Sequence, residues 1–282
     1  MYLSFRPSSD NHDEMLAYEM MEKAEVEIRH WMLLNKLKLN DEKTEFMIIG
    51  KQGQCRKLSK NDVTIGEVKI ESNVCTRNLG VMFDAELNMN NHVNLICKNA
   101  FYHLRNIAHI RNYLDMESTV TLVHAFISSR IDYCNSLLYG ITKYNLEKLQ
   151  KVQNAAARVV SGKRKHDHIS STLFSLHWLP VKYRIEFKLL LLTYKALHGM
   201  APDYIKDLLT LHVNTRDNMR SSDNCMPLFV PRSRLVTAGD VCFSIAAPKM
   251  WNALPNSIRS AKSLDVFKML LKTHLFKHAF RK

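Results

Sequence analysis

Three stretches between residues 88 and 211 repeat apolar side chains every three or four positions, and this periodicity limits the fold more than any other feature. Such spacing places the apolar side chains on one face of an α-helix, so each stretch predicts a helix that packs on one side. The three stripes are Met89, Val93, Ile96, Ala100, Leu104 and Ile107; Val120, Val123 and either Phe126 or Ile127; and Leu146, Leu149, Val152, Ala156, Val159 and Val160. Residues 184–197 are apolar nearly all round in the middle, which is typical of a central buried helix. The region therefore predicts a helical bundle.

The residues before this bundle follow a different pattern. One helix is predicted over 13–35, with an apolar stripe formed by Leu16, Met20, Ala24, Ile28 and Trp31. Alternating apolar residues predict a buried strand over 44–50, a short hairpin around Gly66 over 63–70, and a further strand over 78–83. This part of the chain is predicted to be a small antiparallel sheet backed by one helix.

The predicted fold class is α+β and mostly α. Residues 1–85 hold the small sheet, residues 86–211 the helical bundle, and residues 212–282 a polar loop followed by a C-terminal helical segment. The loop spans 212–234, and the last helix begins near Ser263, with Leu264, Phe267, Leu271 and Leu275 on one face.

The net charge of +13 is concentrated in two windows. Residues 151–199 carry a net +7 and residues 258–282 a net +6, so the rest of the chain sums to zero. Concentrated positive charge indicates a polyanionic partner. The alternative is a set of solvated basic helix faces without a ligand.

The most informative basic segment lies in the third stripe. At about 100° per residue, Lys148, Lys151 and Arg158 fall within one arc of about 80°, opposite the apolar face. Beyond Gly162 the sequence adds three further cations, Lys163, Arg164 and Lys165. One face of this helix is suited to packing against the core and another to contact with phosphate. The pattern predicts contact with the backbone of RNA or an RNA–DNA hybrid without base readout.

Other chemistry has weak support. The six cysteines never approach a CxxC spacing, and the pair His274 and His278 lacks a third ligand, so no metal site is predicted. Trp178 and Trp251 are suited to base stacking or to core packing, and their apolar neighbours favour the core. No signal peptide is visible and the longest apolar run is too short to span a bilayer, so an intracellular location, nuclear or cytoplasmic, is expected.

Eight segments in consistent order carry a resemblance to a known family. They are LxLNxxKTEF (37–46), NLGVxFD (78–84), YCNSLLYG (133–140), KVQNAAARVV (151–160), LHWLPVKYRI (176–185), YKALHGMAPDYI (194–205), FSIAAPKMWNALPNSIR (243–259) and SLDVFKMLLKTHLF (263–276). The chain resembles the C-terminal part of the reverse transcriptase of non-LTR (LINE-like, jockey-type) retrotransposons. The resemblance implies that residues 1–85 are the end of a palm domain and that the bundle is the thumb and post-thumb region.

The resemblance also implies roles for two turns. Lys43 matches a palm-domain lysine close to the phosphates of the incoming nucleotide, although a solvated turn lysine is an equal alternative. Leu79, Gly80 and Val81 match the turn that holds the primer end.

Template-directed polymerisation uses Mg²⁺ held by strand-borne carboxylates. In this family the carboxylate pair stands in a YADD-type turn just before a segment like Tyr2 to Phe5, and no Asp-Asp pair occurs in this sequence. The expected function is thus that of a truncated RNA-directed DNA polymerase. It would bind nucleic acid non-specifically, hold no cofactor of its own, and be inactive without the missing palm and fingers. The alternative is a decayed or domesticated helical protein-interaction module.

Overall fold

The computed structural model describes residues 2–6, 11–65, 68–164, 166–212, 226–232 and 239–280. The chain divides into two compact units, Met1–Asn94 and Leu95–Lys282. Its helices dominate, and its strands form two separate two-stranded antiparallel sheets. The predicted class, α+β and mostly α, is confirmed, although two hairpins are found where the sequence predicts one small sheet.

Twelve α-helices and four strands are found in the described part of the chain. The helices are α1 (His12–Leu34), α2 (Gln52–Cys55), α3 (Asn90–Ile110), α4 (Met116–Val123), α5 (Ser129–Asp132), α6 (Lys143–Ser161), α7 (Ser170–Ser175), α8 (Val181–Leu197), α9 (Asp203–Lys206), α10 (Phe243–Asn252), α11 (Asn256–Arg259) and α12 (Leu264–Phe280). The strands are β1 (Asp62–Ile65), β2 (Val68–Glu71), β3 (Cys75–Asn78) and β4 (Val81–Asp84). A π-helical turn, His124–Ser128, joins α4 to α5.

The first unit contains the two hairpins. Strands β1 and β2 pair with Val63 opposite Ile70, as the sequence predicts, while Gly66 lies outside the described residues. The prediction of one continuous strand over 78–83 is wrong, because the chain reverses there between β3 and β4. Leu79 and Gly80 both adopt positive φ angles, 46° and 87°, as the two central residues of a type I′ hairpin turn do.

The buried strand predicted over 44–50 is also not found. Phe46 forms an isolated parallel bridge with Ser72, and Gly50 donates its N–H to the carbonyl of Ala85 at 2.9 Å. These single hydrogen bonds hold the segment extended without building a ladder. Phe46 packs with Tyr18 in the small core, whereas Ile49 on the other side is exposed.

Helix α1 is present but buries a different face from the predicted one. Leu16, Met20, Ile28 and Trp31 of the predicted stripe are exposed, and the buried side chains are those of Glu14, Tyr18 and Glu25. The apolar stripe therefore lies on the open side of the helix.

Polar partners from the loop before β1 explain this orientation of α1. The Glu14 carboxylate accepts the N–H of Ser59 at 2.9 Å and the N–H of Lys60 at 3.2 Å. The Tyr18 hydroxyl donates to the carbonyl of Lys60 at 2.9 Å, and burial raises the pKa of Tyr18 to about 12, with the Glu14 charge adding to the shift. Hydrogen bonds to a carboxylate are strong enough to compensate for its burial.

In the second unit the predicted helical stripes are largely confirmed. Val123 and Ile127 are buried, as are Leu149, Val152 and Val160 on α6. Helix α8 packs against α5, α6, α10 and α12, so the prediction of a central buried helix is correct. It ends at Leu197, and Gly199 follows with φ of 68°.

The C-terminal helices close around α8. Trp251 and Trp178 are both buried, which confirms the prediction that the two tryptophans belong to the core. The Trp251 indole donates to the carbonyl of Met226 at 2.9 Å. The Asn252 side chain exchanges two hydrogen bonds with the backbone of Leu228, at 2.9 and 2.7 Å, and so ties the 226–232 segment to α10.

Truncation of Leu149 is predicted to destabilise the protein strongly. Leu149 is fully buried on α6, so Leu149→Ala should lower the free energy of unfolding by about 2–5 kcal/mol through lost burial and a cavity. The control Leu137→Ala, at a largely exposed leucine, should change it by no more than about 0.5 kcal/mol. Chemical denaturation followed by circular dichroism measures both. Equal effects of the two substitutions would contradict the assignment of the α6 core face.

Candidate nucleic-acid interface

Helix α6 carries the predicted basic face, and both of its ends are fixed by specific hydrogen bonds. The Thr142 hydroxyl accepts the N–H of Asn145 at 3.3 Å, an N-cap. The Arg111 guanidinium donates to the carbonyls of Val159 and Val160 at 3.0 and 3.1 Å. A cation at carbonyls of the last turn also suits the negative end of the helix dipole. The helix is therefore held as a rigid support for its exposed side chains.

The two faces of α6 differ as the sequence predicts. Ala156 and Leu149 are buried, and the buried Gln153 donates to the carbonyl of Leu179 at 2.8 Å. Lys151 is exposed and Lys148 is half-buried. The Lys148 Nζ lies 4.4 Å from the ring centroid of Tyr144, whose own ring is mostly exposed. The arrangement offers a lysine and an aromatic face side by side.

The cations after α6 are also in place. Lys163 and Arg164 are exposed, and the Lys163 Nζ lies 3.5 Å from the hydroxyl of Ser171. The Arg164 N–H donates to the Asp167 carboxylate at 2.7 Å through the backbone, which leaves its guanidinium outside that hydrogen bond. Lys165 lies outside the described residues.

Arg158 is less accessible than its position in the predicted arc implies. It is half-buried, and its Nη2 lies 3.4 Å from the carbonyl oxygen of Asp167, which accepts the hydrogen bond. Its Nε is buried and meets no acceptor among the described residues. Arg158 is thus partly engaged with the loop after α6, and the readily available cations of this surface are Lys151, Lys163 and Arg164.

The sequence reasoning missed a second basic face, on α3. Lys98, Tyr102, Arg105 and His109 are all exposed. At about 100° per residue their positions fall within an arc of about 60°. Basic side chains interleaved with an aromatic ring are typical of surfaces that bind single-stranded nucleic acid. The sequence does contain the pattern that predicts this face, because the same four residues lie on the side of the helix opposite its apolar stripe.

Lys148 of α6 lies within electrostatic range of Cys97 on α3. Burial raises the pKa of the Cys97 thiol on α3, and the positive charge of Lys148 on α6 partly offsets that rise. The exposed basic residues Lys98 and Arg105 on α3, and Lys151, Lys163 and Arg164 on and just beyond α6, form two basic faces of the second unit.

Lys43 closes a 3₁₀ turn, Asp41–Lys43, whose position is set by Arg29 on α1. The Arg29 guanidinium donates to Asp41 at 2.8 Å and to Glu25 at 2.7 Å. The hydrogen bond and charge of Arg29 hold the pKa of Asp41 below its ordinary value. The Lys43 side chain is exposed. Its role near nucleotide phosphates stays a prediction, as does the solvated alternative.

The turn matched to the primer-holding element stands at the tip of the second hairpin. Leu79 is almost fully exposed, whereas Val81 is buried. The Asn78 side chain donates to the hydroxyl of Tyr2 at 2.9 Å. Behind the turn, the Met82 N–H donates to Nδ1 of the buried His92 at 3.4 Å. The primer-holding role of Leu79, Gly80 and Val81 stays a prediction.

Within the described ranges no group of three or more His, Cys, Asp or Glu side chains could hold a metal ion. The rings of His274 and His278 lie 4.5 Å apart at their centroids, without such a third ligand among the residues described. Among the described helices none is both long and apolar enough to cross a bilayer.

Comparison with profiles of known protein families, with curated proteins and with solved structures returned no match to this chain.

The buried His92 predicts a loss of stability in mild acid. Burial lowers the pKa of His92 below its usual value, so between the folded and unfolded pKa values the unfolded chain binds more protons. The free energy of unfolding should therefore fall as the pH drops through about 6.5, the ordinary histidine pKa. Urea denaturation at neutral and mildly acidic pH measures this.

His92→Gln should reduce that pH dependence, whereas His30→Gln, at an exposed histidine of the same unit, should leave it unchanged. If His92→Gln keeps the full pH dependence of the wild type, the acid sensitivity has another source.

Proposed function

We propose that this chain is the nucleic-acid-binding C-terminal part of a LINE-type RNA-directed DNA polymerase. It binds RNA or an RNA–DNA hybrid through the phosphate backbone and without base readout. The observation that carries the proposal is the position of Lys151, Lys163 and Arg164. These three cations are exposed along and just beyond a helix whose opposite face is buried and whose ends are fixed. Exposed cations on and just beyond a helix with fixed ends suit an array of phosphates.

The polymerase part of the proposal rests on the sequence resemblance, whose motifs follow one another along nearly the whole chain. Under this proposal the first unit is the end of a palm domain. The exposed stripe of α1 (Leu16, Met20, Ile28 and Trp31) is then the surface against which the rest of the palm packs. Copying of the element RNA at a nicked chromosomal target is the activity that the resemblance implies for the parent enzyme.

One observation favours the second candidate, a protein-interaction module. The same α1 stripe is an exposed apolar face on a helix of 23 residues, and such faces mark sites of protein association. This candidate requires no phosphate contacts. The salt dependence of RNA binding therefore separates it from the first.

Replacement of Lys151, Lys163 and Arg164 by alanine is predicted to weaken RNA binding and to flatten its salt dependence. Each neutralised phosphate contributes roughly −0.7 to −0.9 to the slope of log affinity against log salt concentration. If all three cations touch phosphate, the slope should become shallower by about two to three units, with no change in sequence preference. Fluorescence anisotropy with a labelled RNA over a salt series measures the slope.

A control of equal charge loss uses Lys23, Lys51 and Lys57, exposed lysines of the first unit. Their replacement by alanine should leave the slope close to that of the wild type. An unchanged slope in the α6 variant, or an equal change in the control, would leave the charge of α6 as solvated surface and favour the interaction module.

The chain alone is predicted not to extend a primer on an RNA template in Mg²⁺ or Mn²⁺. The sequence contains no Asp-Asp pair on a strand–turn–strand segment that could hold two catalytic metal ions. Primer extension with a known reverse transcriptase as positive control is the assay. Incorporation above background that Lys43→Ala abolishes would falsify this prediction and give Lys43 a catalytic role.

A further inference from the structure

Three rings from two elements meet on the surface of the second unit. The His103 ring on α3 stacks on Phe126 of the π-helical turn, with centroids 5.1 Å apart and planes inclined by 21°. The Tyr102 ring meets His103 edge-on at 5.3 Å. Tyr102 and Phe126 are 56% and 42% exposed, so this aromatic cluster opens to solvent.

Arg130 borders the aromatic cluster and fixes its position. Its Nη2 lies 3.2 Å from Nε2 of His103, and its Nε donates to the carbonyl of Phe126 at 3.1 Å. Two contacts from one guanidinium tie the π-helical turn to α3. The residue is exposed, so its charge remains available at the edge of the rings.

Phe126 lies within the π-helical turn and is exposed. The neighbouring Ile127 is buried, whereas Phe126 is turned outward onto His103. A π-helical turn inserts extra backbone into a helix and shifts the direction of the side chains within it, and such turns occur frequently at functional sites. The turn thus presents a large aromatic side chain at the surface directly beside a buried isoleucine.

The chemistry around the rings indicates what they bind. Lys98 and Arg105 lie on the same exposed face of α3 as Tyr102, and both are exposed. A protein partner with an apolar face would meet these charges, whereas a nucleotide pairs an aromatic base with an anionic phosphate. Bases in a duplex have their faces covered by their neighbours, so open rings flanked by cations suit an unpaired base.

We propose that Tyr102, His103, Phe126 and Arg130 form a stacking platform for an unpaired nucleobase of single-stranded RNA or DNA, with Lys98 and Arg105 contacting the adjacent phosphates. This inference rests on the proposed function, because it assumes that the second unit binds nucleic acid. It adds to the phosphate contacts of α6 a site that distinguishes unpaired from paired strands.

Phe126→Leu tests the platform, because leucine keeps apolar bulk and removes the aromatic face. The chain of 282 residues is titrated against a short single-stranded RNA carrying one 2-aminopurine and against the same RNA annealed to complementary DNA. Stacking on an aromatic side chain accounts for about a 5- to 140-fold difference in affinity per base. Phe126→Leu should weaken binding of the single strand by that factor, abolish quenching of 2-aminopurine, and leave the affinity for the hybrid unchanged.

Tyr102→Leu is a second variant at an exposed position, and it should show a weaker loss of the same kind. Tyr204→Leu, at an exposed tyrosine on α9, is the matched control and should behave as the wild type. A single-stranded DNA of the same sequence should respond to Phe126→Leu as the RNA does.

The outcomes separate the two proposals. If the wild type shows salt-dependent binding of the hybrid and Phe126→Leu binds the single strand as tightly as the wild type, the platform is overturned and the proposed function stands. If the wild type binds neither nucleic acid, both are overturned. Equal weakening for single strand and hybrid also overturns the platform, because Phe126 would then support the fold and not an unpaired base.

Discussion

The burial of α8 is the constraint on which the second unit depends. Tyr194 lies in the last turn of this helix and is almost fully buried. Its ring stacks on Phe267 of α12 at 4.2 Å between centroids, and the tilted ring of Trp251 of α10 lies 6.5 Å away. A buried hydroxyl without a partner costs about 1–3 kcal/mol, and the Tyr194 hydroxyl donates to the carbonyl of Ala261 at 2.9 Å. The segment between α11 and α12 must therefore run where its carbonyl meets that hydroxyl, which fixes the C-terminal helices around α8.

The same helix fixes the candidate interface. The chain entering α8 supplies two backbone groups to α6: the N–H of Val181 donates to Gln150 at 2.9 Å, and the carbonyl of Leu179 accepts from Gln153. Arg111 holds the other end of α6. These hydrogen bonds hold the backbone of α6, so phosphate contacts made from this helix cost little backbone freedom on binding.

Much of this fold could be predicted from apolar spacing, because burial in a helical bundle depends chiefly on which side of each helix is apolar. The prediction from apolar spacing was wrong for the buried face of α1, because the apolar stripe is exposed and Glu14 is buried. That outcome is decided by backbone donors at Ser59 and Lys60, which lie 45 residues or more away in sequence. The prediction of a strand over 44–50 was wrong for a similar reason. A hydrogen-bonded ladder needs a neighbouring strand in register, and the local sequence pattern does not indicate whether such a strand is present.

The candidate site was predictable to the extent that it consists of charges opposite a packed face. The α6 cations met that condition, whereas the partial engagement of Arg158 by the Asp167 carbonyl depends on a loop conformation that periodicity does not encode. Phe126 is the clearest case of a site residue whose exposure the sequence pattern does not determine. The apolar spacing places either Phe126 or Ile127 in the stripe after Val123, and in the structure Ile127 is buried while Phe126, within the π-helical turn, is exposed. An exposed aromatic residue bordered by an arginine within a π-helical turn is a local irregularity of the kind that functional sites contain. The proposed platform therefore lies at the turn between α4 and α5 and not on a regular helix face.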